Sequence, residues 1–270
     1  METGDNTIKL QHPQIIANNY GNNFREGEAF VTDHIFSYIL SGTQEIWSGN
    51  QTYLFKAGDY RFFKRNQLTK YVKRPGQQGF QSIAVHIDEN TLREMTPLYA
   101  DTVNTPYTGK DVELLKPDSW LESYANSIAP YCNASGVYNQ ALVSLKTKEL
   151  VLLLLQNNPA LKQALFNFDD PGKIDLVAFM STHYRYNVGL DRMAFLTGRS
   201  LSTFKRDFQK LFHTTAGRWL TQRRLEEANY LIAQKGRMAS EIYLDLGFED
   251  LSHFSFAYKK AFGKAPSQGQ

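Results

Sequence analysis

The 270 residues predict an α+β chain of two domains, strand-rich in its N-terminal half and all-α in its C-terminal half. Three observations carry this. Before about residue 88, runs of Ile, Val, Phe and Tyr are short and are broken by glycine turns, which is the signature of strands. After Asp88 the apolar residues recur at the three- and four-residue steps of helices. Near the C-terminus one helical pattern occurs twice: Phe204, Phe208 and Phe212 return as Phe254, Tyr258 and Phe262.

The strand region is expected from about residue 8 to 88. HIFSYILSG, QEIWSGNQTYLF, DYRFFKR and FQSIAVHID are its strand-like runs, with Gly42, Ser48-Gly49-Asn50 and Gly58-Asp59 as turns. Short strands at this spacing predict a barrel or a rolled sandwich. Within it Tyr38, Trp47, Tyr53 and Phe62 offer aromatic surface to a small apolar or planar ligand, and the same rings equally well fill a small barrel. Lys64, Arg65, Lys70, Lys73 and Arg74 cluster around a turn and read as a solvated rim, with contact to an anionic effector or to DNA as alternatives. The six histidines, His12, His34, His86, His183, His213 and His253, form no H-x-H pair, so neither a metal nor another cofactor is expected.

Helices are expected at 90–99, 118–132 and 137–156, the first two separated by a polar stretch with Asn104-Thr105-Pro106 and Gly109. In the third, Leu150 to Leu155 leave almost no polar face, so it packs against the barrel and the preceding helix or against a second copy of itself. Residues 167–173, NFDDPGK, form a short linker between an N-terminal unit, 1–166, and a C-terminal unit, 174–270.

The C-terminal unit opens with a helix at 174–184. Met193, Ala194 and Leu196 then mark a short apolar helix ended by Gly198, which can take a positive φ. In SLSTFKRDFQKLF, residues 200–212, Leu201, Phe204, Phe208 and Leu211 fall on one side and Ser202, Lys205, Arg206 and Gln209 on the other. One face seeks a core, and the other is polar and basic. Residues 217–233 form a connecting helix of about 25 Å at roughly 1.5 Å per residue. Two reading helices held at the ends of such a rod could enter successive major grooves of B-DNA, which recur about every 34 Å.

Charge is distributed unevenly. Residues 1–167 hold 15 Lys and Arg against 16 Asp and Glu, or −1, and residues 168–270 hold 15 against 11, or +4, which together make the net +3. A single cysteine, Cys132, precludes an internal disulfide and suits a reducing cytoplasm. The polar start METGDNTIKL and the brevity of the longest apolar run argue against a signal peptide or a membrane partner, so a cytoplasmic chain is expected.

At Ala194, Ser200, Phe204, Arg206, Phe208, Trp219, Arg224, Leu225, Ala228, Ile242, Gly247, Phe248, Ser252, Phe254, Phe262, Gly263 and Pro266 the chain resembles the DNA-binding domain of the AraC/XylS family of bacterial transcription regulators. The resemblance covers about the last hundred residues. It implies two helix-turn-helix units on a long helix, a partner in double-stranded DNA, and a regulator rather than an enzyme. It places Ser202, Lys205 and Arg206 in the groove, with Thr203 and Gln209 flanking. In the second unit it places Leu251, Ser252, Ser255 and Phe256 there, with Lys259 and Lys260 near phosphates. These offer little hydrogen-bond information, so the first unit is expected to specify and the second to anchor.

Four departures from the family pattern stand out. Tyr243 replaces a small Ala and requires smaller neighbours, while His213 replaces a Gly and requires a left-handed backbone. Phe256 stands where an Arg is frequent, and the closing PSQGQ lacks the usual Arg. The strand region, through Gly42 and the Gly58-Asp59 turn, resembles more loosely the cupin-like sensory domain that precedes such DNA-binding domains. From this follow a homodimer and an N-terminal unit that either senses a small-molecule effector or docks a regulatory protein. A cupin enzyme fused to DNA-binding helices lacks its metal ligands here.

Overall fold

The computed structural model describes residues 14–49, 51–99, 107–132 and 139–268. Parts of the expectations lie outside them: residues 8–13 of the barrel, with His12, Asn50, the Asn104-Thr105-Pro106 turn, the first residues of the helix expected from 137, and the last two residues of PSQGQ.

The N-terminal half is built on two antiparallel sheets. One has the order β1 (Ile15–Asn19), β8 (Gln81–Ile87), β3 (His34–Ser41), β6 (Tyr60–Phe63), β9 (Val112–Leu115). The other runs β2 (Arg25–Val31), β7 (Gln67–Arg74), β4 (Thr43–Ser48), β5 (Gln51–Lys56). Side chains alternate between the two faces of each strand, and here both faces of the five-stranded sheet are covered. Phe36, Tyr38, Phe62, Val85 and Ile87 point to a layer of helices. Ile39, Phe63 and Val112 point to the second sheet, where Ile46, Phe55 and Phe80 meet them. β9 is a strand beyond the expected barrel. It pairs with β6 at Tyr60↔Leu115 and Phe63↔Val112.

The helix layer consists of α1 (Glu89–Met95), α2 (Ser119–Cys132), α3 (Gln140–Asn157) and α4 (Leu161–Leu165). Each of the first three starts on a side-chain cap, from Asp88, Asp118 and Asn139 respectively, which satisfies an otherwise orphaned amide. α3 buries Val143, Thr147, Leu150, Val151 and Leu154 against the sheet and α1. Its outer side keeps Leu142, Leu145 and Leu152 at 47 %, 61 % and 47 % exposed, so packing within the chain consumes only part of its apolar surface.

The C-terminal half is α5 (Leu176–His183), α6 (Leu190–Leu196), α7 (Leu201–Phe212), α8 (Ala216–Lys235), α9 (Ala239–Ile242) and α10 (Leu251–Phe262). Two cores form, as the duplicated pattern requires. Met193, Ala194, Phe204, Phe208 and Leu220 join Phe179 and Met180 in the first, and Leu225, Ala228, Ile232, Ile242, Phe248, Phe254 and Tyr258 make the second. α8 runs through both and spans about 30 Å at 1.5 Å per residue, one turn longer than the sequence suggested. Fully burying a side chain such as Phe204 or Phe254 contributes roughly 1.5–3 kcal/mol to holding each unit shut.

The two halves meet along the outer face of the four-stranded sheet. Leu68 is 3 % exposed and belongs to the first helical core, and Phe30 meets Phe195 edge to face at 6.3 Å. The segment that joins the halves is held at Asn167 and at Ile174. Arg65 donates to the Asn167 carbonyl (2.8 Å), the Ile174 amide donates to Thr197 (3.4 Å), and Arg199 donates to the Ile174 carbonyl (3.0 Å).

Candidate nucleic-acid interface

α7 and α10 each begin on a cap and stand on buried aromatics. The Ser200 hydroxyl accepts from the Thr203 amide (3.3 Å) at the start of α7, and Asp250 accepts from the His253 amide (2.6 Å) at the start of α10. The turns before them need glycine. Gly198 has φ +65 and Gly247 φ +80, and a Cβ at Gly247 would lie 2.4 Å from the Arg185 carbonyl. α7 ends at His213 with φ 56, the left-handed conformation that a Gly would otherwise supply.

Phe204 and Phe208 turn inward from α7, so Ser202, Lys205, Arg206 and Gln209 stand exposed, with Thr203 half-buried among them. Arg206 is 75 % exposed and only 3.6 Å from Asp207 Oδ1 at its closest carboxylate. That carboxylate is already engaged by Arg199 at 3.2 Å and Lys173 at 3.4 Å, whose hydrogen bonds hold it below the usual Asp range. Glu227 of α8 is likewise taken, accepting from Arg185 (2.7 Å) and Tyr184. The Arg206 fork is therefore presented to solvent, in the geometry that recognises guanine O6 and N7 or a phosphate.

On α10, Phe254 and Tyr258 turn inward. Ser252, Phe256, Lys259 and Lys260 are exposed and Ser255 half-buried; Phe256 is 71 % exposed. Tyr243 lies half-buried against the second core, where Ala239 and Ala257 also sit. α9 has four residues where its counterpart α6 has seven.

One side chain fastens the two units together. Arg224 of α8 donates to the carbonyls of Tyr184 (2.7 Å), Gly247 (2.7 Å) and Tyr186 (2.9 Å). The first and third belong to the α5–α6 loop, and the second to the turn before α10. Asn187 adds a bond from that loop to Glu249 (3.2 Å).

In the N-terminal half, the four aromatic candidates do not surround one space. Tyr38 and Phe62 face the helix layer, where Tyr38 donates to the Ala125 carbonyl (3.0 Å) and Phe62 stacks on His34 at 5.4 Å. Tyr53 faces the core between the two sheets and stacks on Phe55 at 6.0 Å. Trp47 lies on the outer face, its carbonyl accepting from Tyr186 of the helical half (3.4 Å).

The space between the sheets is occupied by two cations that the sequence pattern does not place there. Arg61 is 1 % exposed, donates to Gln44 (2.8 Å) and Ser37 (2.9 Å), and lies against the rings of Phe55 and Phe63. Burial pushes its guanidinium down to about 9. Lys73 is 9 % exposed, with its ammonium over Tyr20, Tyr71 and Phe80 at 4.7, 5.0 and 5.2 Å, and burial pushes it down to about 8. The basic cluster is thus not the solvated rim it resembled. Lys73 is interior, and Lys64, Arg65, Lys70 and Arg74 pair with Asp111, Glu89, Glu28 and Glu45.

A polar cleft of about 300 Å³ opens beside the linker rather than between the sheets, lined by His34, Lys64, Arg65, Tyr107, Asn167, Asp169 and Asp170 among others. Burial pushes His34 down to about 3, so its ring is neutral. Among the described residues no three His, Cys, Asp or Glu side chains gather as a metal site, and no helix is long and apolar enough to cross a membrane.

Two helix-turn-helix units with open polar faces, behind a β-rich domain, define a DNA-binding transcription regulator. Comparison with known proteins identifies the two domains. Residues 34–164 match the ExsA N-terminal regulatory domain, and residues 193–270 match a helix-turn-helix domain. The chain is 24% identical over 238 residues to the thermoregulatory protein LcrF of Yersinia pestis, covering 86% of this chain and 88% of that one. It is 28% identical over 131 residues to the HTH-type transcriptional regulator ExsA of Pseudomonas aeruginosa, covering 48% and 47%. Among solved structures, an apo form of a ToxT variant from Vibrio cholerae aligns over 95% of this chain and 97% of its own, at 14% identity and a TM-score of 0.46. The chain thus joins an ExsA-type N-terminal regulatory domain to an AraC-type helix-turn-helix domain.

Proposed function

We propose that the chain is a homodimeric, cytoplasmic transcription activator whose first reading helix specifies the operator and whose second anchors it. Residues 1–166 are the regulatory and dimerisation unit, 167–173 the linker, and 174–270 the DNA-binding unit. On α7, Ser202, Thr203, Lys205, Arg206 and Gln209 read base edges, and on α10 Ser252, Ser255 and Phe256 touch the groove while Lys259 and Lys260 meet phosphates. The observation that carries this is the unsequestered Arg206 and Lys205 on a helix whose opposite face is anchored by the fully buried Phe204 and Phe208. Activation is the role named for the Yersinia enterocolitica relative VirF, 24% identical over 238 residues.

Dimerisation is assigned to α3, whose Leu142, Leu145 and Leu152 recur at the three- and seven-residue steps that keep side chains on one helical face. Control of the N-terminal unit is assigned to a protein rather than a small ligand, because Arg61, Lys73 and their aromatic neighbours occupy the space between the sheets. A small effector is the second reading, and the polar cleft beside the linker is the place for it.

Selection of binding sites from a random duplex library tests the assignment. Lys205→Ala and Arg206→Ala should each relax preference at one or two base pairs, by about 1–3 kcal/mol per contact. Selected motifs identical to those of the unaltered chain would remove α7 from base reading.

A further inference from the structure

We propose that the regulatory domain sets the relative placement of the two reading helices, with Glu28 and Lys70 as its positioning residues. The inference rests on the reading above that α7 and α10 engage one duplex.

The two side chains are opposite each other in the β2–β7 ladder and form an ion pair at 2.9 Å on the outer face of the sheet, less than one fifth exposed. Each then reaches into a different helix-turn-helix unit. The other Glu28 oxygen accepts from the Asn187 amide (2.5 Å), in the α5–α6 loop of the first unit. Lys70 donates to the Asp245 carbonyl (2.8 Å), in the turn before α10 of the second. These are the two segments that Arg224 staples from the inside, through Tyr184 and Tyr186 on one side and Gly247 on the other. Among the described residues Arg224 has no ion pair within its own domain, and Glu28 is the carboxylate whose field supports its charge.

A half-buried guanidinium held by neutral carbonyls gains from a counter-charge nearby, and here that counter-charge comes from the other domain. The contact is made to backbone of the α5–α6 loop and of the turn before α10, not to the side chains exposed on α7 and α10. Around it, Leu68 and Phe30 fix the first unit to the same sheet. What remains adjustable is the second unit, tied to the regulatory domain through Lys70. A shift of strands β2 and β7 would be felt as a change in the angle between the heads. That is a route by which any signal received by the N-terminal unit reaches the DNA.

The test uses the full chain and two duplexes derived from a site selected in vitro: one intact, and one in which only the half bound by the first unit is kept and the rest scrambled. For the unaltered chain the intact duplex should bind more tightly, and the ratio measures the contribution of the second head. In Glu28→Gln and in Lys70→Met that ratio should fall about tenfold, the loss of one charge-assisted contact, while affinity for the half-site duplex stays unchanged. Lys70→Arg should restore the ratio. An unchanged ratio in both variants overturns the inference, as does an equal loss on both duplexes, which would signal general damage. If the unaltered chain gains nothing from the intact duplex, the two-headed reading itself fails.

Discussion

Arg224→Ala removes the side chain that staples the two helical units together. The side chain donates three hydrogen bonds of 2.7, 2.7 and 2.9 Å to three different carbonyls. Hydrogen bonds to a charged group are each worth about 1.5–3 kcal/mol net, and three on one residue are not additive. Alanine also leaves the Tyr184, Tyr186 and Gly247 carbonyls without this donor. A loss of about 3–5 kcal/mol is expected, comparable to a large share of the 5–15 kcal/mol that holds a domain folded. The loss should be local, because Arg224 joins the second unit to the rest. Amide hydrogen exchange in α10, at Phe254 and Tyr258, should accelerate by at least about a hundredfold, roughly 3 kcal/mol. Amides of β3 and β8 should be unaffected. Arg224→Lys should recover less than half of the loss, since one ammonium does not span three carbonyls in a planar fork. A change below about fivefold in α10, close to 1 kcal/mol, would refute the role given to this residue.

Three further outcomes follow from the same geometry. Lys73 is pushed down to about 8 from an ordinary 10.5, so between those values the unfolded chain binds more protons than the folded one. Stability should therefore rise with pH from about 8 to 10.5, by at most a few kcal/mol, and urea titrations of Lys73→Met should lack that rise. Gly247→Ala forces a Cβ into the Arg185 carbonyl and the Arg224 guanidinium at φ +80, and calorimetry should report a loss of about 1–3 kcal/mol. Leu145→Asp with Leu152→Asp places charge on the exposed side of α3; light scattering should show a monomer where the unaltered chain is a dimer, with the melting temperature nearly unchanged because neither side chain is in the core.

Legibility in the sequence followed the number of faces an element exposes. α7 and α10 each have one buried side and one wet side, so the period of Phe204, Phe208, Phe254 and Tyr258 reveals them, and Gly198, Gly247 and His213 all adopt the positive φ that their turns demand. The strands of the five-stranded sheet are covered on both faces, and alternation then carries no contrast between inside and outside. That is why Tyr38 and Phe62, on β3 and β6, could not be told from residues facing the second sheet. Lys73, on β7 of the other sheet, read as surface because it stands in a run of basic residues. β9 has four residues, and its pairing with β6 is long-range, which local pattern does not report. The Glu28–Lys70 contact with the helical half joins segments more than a hundred residues apart, each of which alone is an ordinary surface charge.

The central claim is that α7 and α10 meet a single duplex in two successive major grooves. Hydroxyl-radical and guanine-methylation footprinting on a selected site measure this directly. Two protected segments about one helical turn apart on one face of the duplex are predicted, with base-specific interference concentrated under α7 and lost in Arg206→Ala. A single protected segment no longer than half a turn, unchanged when residues of α10 are substituted, would contradict it.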